Sequence, residues 1–140
     1  MDMDTGAMRQ AGSEWAGADR ARRMEFGNEP GAPGRARQLV AELLDSDAIV
    51  EPVRLVVSEL VTNVVQHTVE GGELRLRDER PQGPVRVEVI DRDHAVSDVR
   101  PACRRRGAQG GQGLRIVERA TARWGVGRVR GGKVVWAEFA

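Results

Sequence analysis

Glu59 and Asn63 stand four residues apart in the stretch RLVVSELVTNVVQHT, which runs from Arg54 to Thr68. On a helix that spacing makes a carboxylate and a carboxamide surface neighbours, with Gln66 and His67 one turn further on. The pair suits two jobs at once. A carboxylate can take a proton, and an amide oxygen beside a second oxygen donor can hold a hard cation such as Mg²⁺. A Glu and an Asn on the polar side of a helix are more often a solvated face, so the pair gains meaning only from what accompanies it. Two features do. Asp91 closes an alternating run, where its carboxylate can accept a hydrogen bond from an exocyclic amine. Gly110-Gly111-Gln112-Gly113 leads into Leu114 at the start of a short apolar-periodic stretch. Glycines there let backbone N–H groups approach an anion, and a helix dipole favours phosphate at that end. Singly these signals are weak; their order and spacing are specific.

The elements that must position these residues follow from periodicity. Val53, Val56, Val57, Leu60, Val61 and Val64 repeat at helical spacing and form one apolar face. Valine lowers helix propensity, so tertiary packing must hold this helix. Glu51-Pro52 opens it, and Gly71-Gly72 closes the loop after it. An earlier helix spans 36–44 with Leu39, Val40, Leu43 and Leu44 apolar; it follows a breaker-rich turn, 28–34, and ends at Asp45-Ser46-Asp47. Arg23 to Phe26 reads as a short edge strand. Leu74 to Arg77 alternates with period two, arginines outward, and pairs as a hairpin with Val85 to Asp91 across Pro81-Gln82-Gly83-Pro84. Residues 92–112 hold five arginines and no period, too long for an ordinary connection. A short helix from Leu114 to about Arg123-Trp124-Gly125 follows. Two strands, 126–130 and 133–139, then meet at Gly131-Gly132 in a turn of the primed type. The expected fold is α+β: a two-layer α/β sandwich, a mostly antiparallel sheet with three helices on one face. Residues 1–22 read as a disordered N-terminal arm and 23–140 as one domain.

Composition narrows the function classes. The formal net charge is +1, and aromatics are scarce with no Tyr, three Trp and two Phe. Neither bulk charge nor stacking platforms argue for direct nucleic-acid binding. The single Cys103 cannot form an intramolecular disulfide, which fits a reducing cytoplasm. No apolar run approaches a membrane span of roughly 18–20 residues. Read on their own, His67 is a half-buried helix-end residue, Trp124 and Trp136 are core, and Lys133 is a turn lysine facing water. Arg104-Arg105-Arg106 is a solvated charge run.

From about residue 24 to 139 the chain resembles the small ATP-binding domains of the GHKL (histidine-kinase-like, Bergerat fold) superfamily, closest to its anti-sigma-factor serine/threonine kinase branch. LVVSELVTNVVQH resembles the family's N box, VEVIDRD its first glycine box, GGQGLRIVERATARWGV its second, and GGKVVWAEF its closing strand. The resemblance implies ATP and Mg²⁺ as cofactors. It implies Glu59 as general base, Asn63 as Mg²⁺ ligand, Asp91 as reader of the adenine amine, and Gly111, Gly113 and Leu114 around the phosphates. Residues 92–112 would be the ATP lid. The implied partners are a small anti-sigma antagonist protein that accepts phosphate, a sigma factor held by surface contact, and a second copy in a homodimer. Two departures fall on the base side. Asp91 is followed by Arg92-Asp93-His94-Ala95-Val96 where glycines are usual, and Val134 stands where a Thr is common. They leave open an alternative: a non-catalytic protein-binding module, nucleotide-responsive or nucleotide-free, in transcriptional regulation.

Overall fold

The computed structural model describes residues 20–45, 47–92 and 109–140, with side chains in the last segment described from Arg115 onward. The expected arm up to residue 19, most of the segment 92–112, Cys103 and Arg104-Arg105-Arg106 lie outside the described residues. The elements run β1 (Ala21–Phe26), α1 (Ala32–Leu44), α2 (Val50–His67), β2 (Gly72–Asp78), β3 (Val85–Asp91), α3 (Gln109–Ala120), β4 (Arg123–Val129) and β5 (Gly132–Phe139). All strand pairs are antiparallel, in one sheet of order β1-β2-β3-β5-β4. This is the α+β sandwich expected from the sequence.

The core sits between helices and sheet. Val53, Val56, Val57, Leu60, Val61 and Val64 of α2 are all buried, as their spacing requires. They meet Ala36, Val40 and Leu44 of α1, the alternate residues Leu74 and Leu76 of β2, and Val85, Val87 and Val89 of β3. Each such side chain contributes up to roughly 1.5–3 kcal/mol by leaving water. That burial outweighs the weak helix propensity of the valines. No described helix is long and apolar enough to cross a membrane.

The differences from expectation lie at boundaries and faces. β1 starts at Ala21, so residues 21 and 22, assigned to the arm, are paired strand opposite Arg77 and Leu76. α1 begins at Ala32, four residues early, because Pro33 suits a first helical turn. α3 begins at Gln109, so Gly110, Gly111 and Gly113 lie inside its first turns rather than in a loop before it. It ends at Ala120, and Trp124 and Gly125 belong to β4. In the last hairpin Gly132 already pairs with Val129, leaving Arg130-Gly131 as the turn. Of these two only Gly131 has positive φ, at 87°. A primed turn needs positive φ at its first residue, so this turn is unprimed.

The strand register decides which side chains leave the core. Glu88 lies across from Trp136, and Arg86 across from Glu138, on the face away from the helices. There the Arg86 guanidinium lies 4.7 Å from the Trp136 ring centre and that of Arg123 lies 5.8 Å away. Trp136 is therefore no core residue. Trp124, as expected, packs against the core.

Candidate functional site

Glu59 and Asn63 occupy the polar flank of α2, next to the buried face, and both are half-buried. Neither makes a hydrogen bond or ion pair among the described residues. A partly buried carboxylate and carboxamide with nothing to bind are costly if purely structural.

The loop after α2 carries this site to the sheet. Thr68 is buried at 4% exposure. Its hydroxyl donates to Val64 O at 3.0 Å and accepts from Gly71 N–H at 3.2 Å, so it closes the helix end. Asn28 Nδ2 donates to Thr68 O at 2.9 Å, tying in the connection between β1 and α1. Gly71 takes φ +76°, and a Cβ there would stand 2.0 Å from Phe26 O; no other residue fits. Its neighbour Gly72 pairs with Asp91, and Gly71 O accepts from Arg92 N–H at 3.1 Å. One turn of helix, a short loop and a strand pair therefore bring Asn63 and Asp91 to the same end of the domain.

Asp91 is buried, at 5% exposure. It pairs across the ladder with Lys133, whose Nζ lies 4.0 Å from Asp91 Oδ2. Val134 pairs instead with Ile90, on the other face of the sheet. Val134 thus leaves the sheet on the face opposite Asp91, and the side chain across from Asp91 is that of Lys133. The expectation that Lys133 faces only water is corrected by the same register. His67 is also corrected: it is exposed, and Thr68 is the buried helix-end residue.

Gly111, Gly113 and Leu114 lie in the first turns of α3, which packs against α2. The first four N–H groups of a helix have no intrahelical acceptor, here those of residues 109–112. Ala122 N–H donates to Glu138 O at 2.8 Å and fixes the chain just beyond the far end of this helix. The glycine-bearing end is therefore the one farther from Glu138. Glycine there costs about 1 kcal/mol of helix propensity against alanine. N–H groups without an intrahelical acceptor can offset such a cost by meeting an anion.

Sequence reading missed Glu73, at the polar position of the β2 alternation. Its side chain is 2% exposed and it accepts from Arg23 and Arg92 at 2.6 Å and from Arg75 at 3.1 Å. Burial alone would raise its pKa; the hydrogen bonds from Arg75, Arg92 and Arg23 outweigh it and lower the value to about 2. Glu73 fixes Arg92, the residue that follows Asp91. Arg75 is a neighbour in the chain, but Arg23 and Arg92, brought in by the sheet, leave no mark in local sequence.

The donor set fits a nucleotide carried with Mg²⁺. Among the described residues there is no cluster of three or more His, Cys, Asp or Glu to cage a metal. Mg²⁺ needs none, since it is commonly held by one or two protein oxygens with phosphate and water completing the shell. The family model for the histidine kinase-like ATPase domain matches residues 27–139. Among curated proteins no sequence match is found.

Proposed function

The chain belongs to the histidine kinase-like ATPase domain family, and from that premise we propose that it is an anti-sigma-factor-type protein serine/threonine kinase. In this reading it binds Mg²⁺-ATP and transfers the γ-phosphoryl group to a small anti-sigma antagonist protein. The observation that carries it is the Glu59–Asn63 pair: half-buried, one helical turn apart, uncommitted among the described residues, at the end of the domain where Asp91 is buried.

The roles follow from the chemistry of each group. Asp91 accepts from the exocyclic amine of the base. The N–H groups at the start of α3, with Gly111, Gly113 and Leu114 around them, receive phosphate oxygens. Asn63 Oδ1 supplies one ligand for Mg²⁺, which when bound neutralises phosphate charge. Glu59 takes the proton from the acceptor hydroxyl as its oxygen bonds to the γ-phosphorus and the bond to the β-phosphate oxygen breaks. Positioning and charge neutralisation supply most of the acceleration in such transfers. A sigma factor and a second copy of the chain are the further partners proposed.

Calorimetric titration with ATP, with and without Mg²⁺, is the first test. It is paired with a phosphotransfer assay on serine-bearing antagonist proteins. Mg²⁺-dependent binding with transfer that Glu59→Gln abolishes supports the kinase. Binding without transfer to any acceptor supports instead the nucleotide-responsive binding module. No binding at millimolar ATP, where even a Kd of ~1 mM (about −4 kcal/mol) is visible, overturns both nucleotide readings.

A further inference from the structure

Resting on the nucleotide-binding reading above, we propose that Lys133 is a specificity-determining residue of the base subsite: its ammonium donates to N1 of adenine while Asp91 accepts from the N6 amine. The two residues are direct partners across the β3–β5 ladder, so their side chains leave the sheet on the same, helix-bearing face. Their placement is fixed by backbone rather than by chance rotamers. A Cβ on Gly132 would lie 1.8 Å from Asp91 O and 3.2 Å from Arg92 Cα, so only glycine lets β5 begin this close to Asp91. The next residue is then held beside the carboxylate.

The separation matters. At 4.0 Å, Lys133 Nζ and Asp91 Oδ2 attract each other but are too far apart for a hydrogen bond. Among the described residues the ammonium makes no hydrogen bond at all. Its side chain is 26% exposed and that of Asp91 is 8% exposed, so the cation is the more solvent-accessible of the two. Adenine presents a donor, the N6 amine, directly beside an acceptor, N1. A carboxylate next to an ammonium is the complement of that edge. A mere turn lysine would extend into water rather than toward the carboxylate of Asp91.

The test is calorimetric titration of the full chain with Mg²⁺-ATP and with Mg²⁺-1-deaza-ATP, in which N1 is replaced by C–H and the N6 amine is kept. The wild type is expected to prefer ATP by about tenfold or more, the value of one hydrogen bond from a charged donor. Lys133→Met is expected to bind ATP more weakly and to lose the preference, while Lys133→Arg, which keeps a cationic donor, retains part of it. Circular dichroism of each variant separates these outcomes from misfolding. Equal binding of the two nucleotides by the wild type overturns the role of Lys133 and leaves nucleotide binding intact. So does tighter ATP binding by Lys133→Met, which would make the lysine a competitor of the amine. A wild type that titrates with neither nucleotide overturns the nucleotide-binding reading itself, and this proposal with it.

Discussion

Two glutamates show how differently one residue type is used at the two regions that flank this sheet. Glu59, on α2, is half-buried and has no hydrogen-bonding or ionic partner among the described residues. Glu73, on the sheet face away from the helices, is 2% exposed and bound by three arginines. The first has chemistry to spare; the second has spent all of it on structure. A carboxylate that is buried and satisfied rigidifies, whereas one that is partly buried and unsatisfied is kept at some cost in stability. The helix-side end is where the proposed function places its chemistry. The open face is scaffold.

The comparison breaks most sharply at Glu59. Glu59→Gln removes the proton acceptor and is expected to slow phosphotransfer by about 10²–10⁴-fold, while folding stability changes by less than ~0.5 kcal/mol. A paired kinetic and urea-denaturation measurement checks both halves, and a large loss of stability would put Glu59 with the scaffold. The mirror experiment is Glu73→Gln, which leaves three guanidinium groups facing a neutral amide. It is expected to cost about 2–3 kcal/mol of stability near neutral pH, discounted because the arginines are half-exposed. The sign of the pH dependence follows from the lowered pKa. The contribution is full above the unfolded value near 4.5 and is lost as pH falls toward about 2. The wild type should therefore lose stability faster than the variant across that window, as pH-resolved denaturation will show.

Asn63→Ala sharpens the functional side. It is expected to lower Mg²⁺-dependent ATP affinity by about tenfold, ~1.4 kcal/mol, and to leave Mg²⁺-free binding little changed, by titration calorimetry. The smallest effect is on the open face. Arg86→Ala removes the guanidinium over Trp136 together with its part-exposed ion pairs to Glu88 and Glu138, and is expected to cost about 1 kcal/mol, with a change in tryptophan emission. An unchanged emission spectrum would mean that the stack does not persist in solution.

Much of the layout was legible in one dimension because burial is periodic. The α2 valines repeat at helical spacing and Val85, Val87 and Val89 alternate, and these patterns place the two layers and orient the helix that bears Glu59 and Asn63. What stayed hidden depends on register between distant strands. Glu73 looks like an outward residue until β1 and the residue after β3 deliver Arg23 and Arg92 to it. Trp136 looks like core until its pairing with Glu88 turns it away from the helices. Val134, read as a neighbour of Asp91, lies on the other face and Lys133 stands across from Asp91, because a one-residue step along a strand exchanges faces. The start of α3 was misplaced for a local reason: three glycines read as loop, although each costs a helix only about 1 kcal/mol against alanine.

Among the described residues the strand order leaves β1 and β4 with one unpaired side each. Exposed strand rims of this kind invite other chains to add on, the first step toward fibrous aggregates. Here β1 carries Arg22, Arg23 and Glu25, and β4 carries Arg123 and Arg128 with Gly125 and Gly127 between them. A neighbouring chain laid along either rim would meet charge or a strand too glycine-rich to pair well. Charge and glycine on the outer strands thus serve colloidal stability wherever a margin of the described sheet meets solvent.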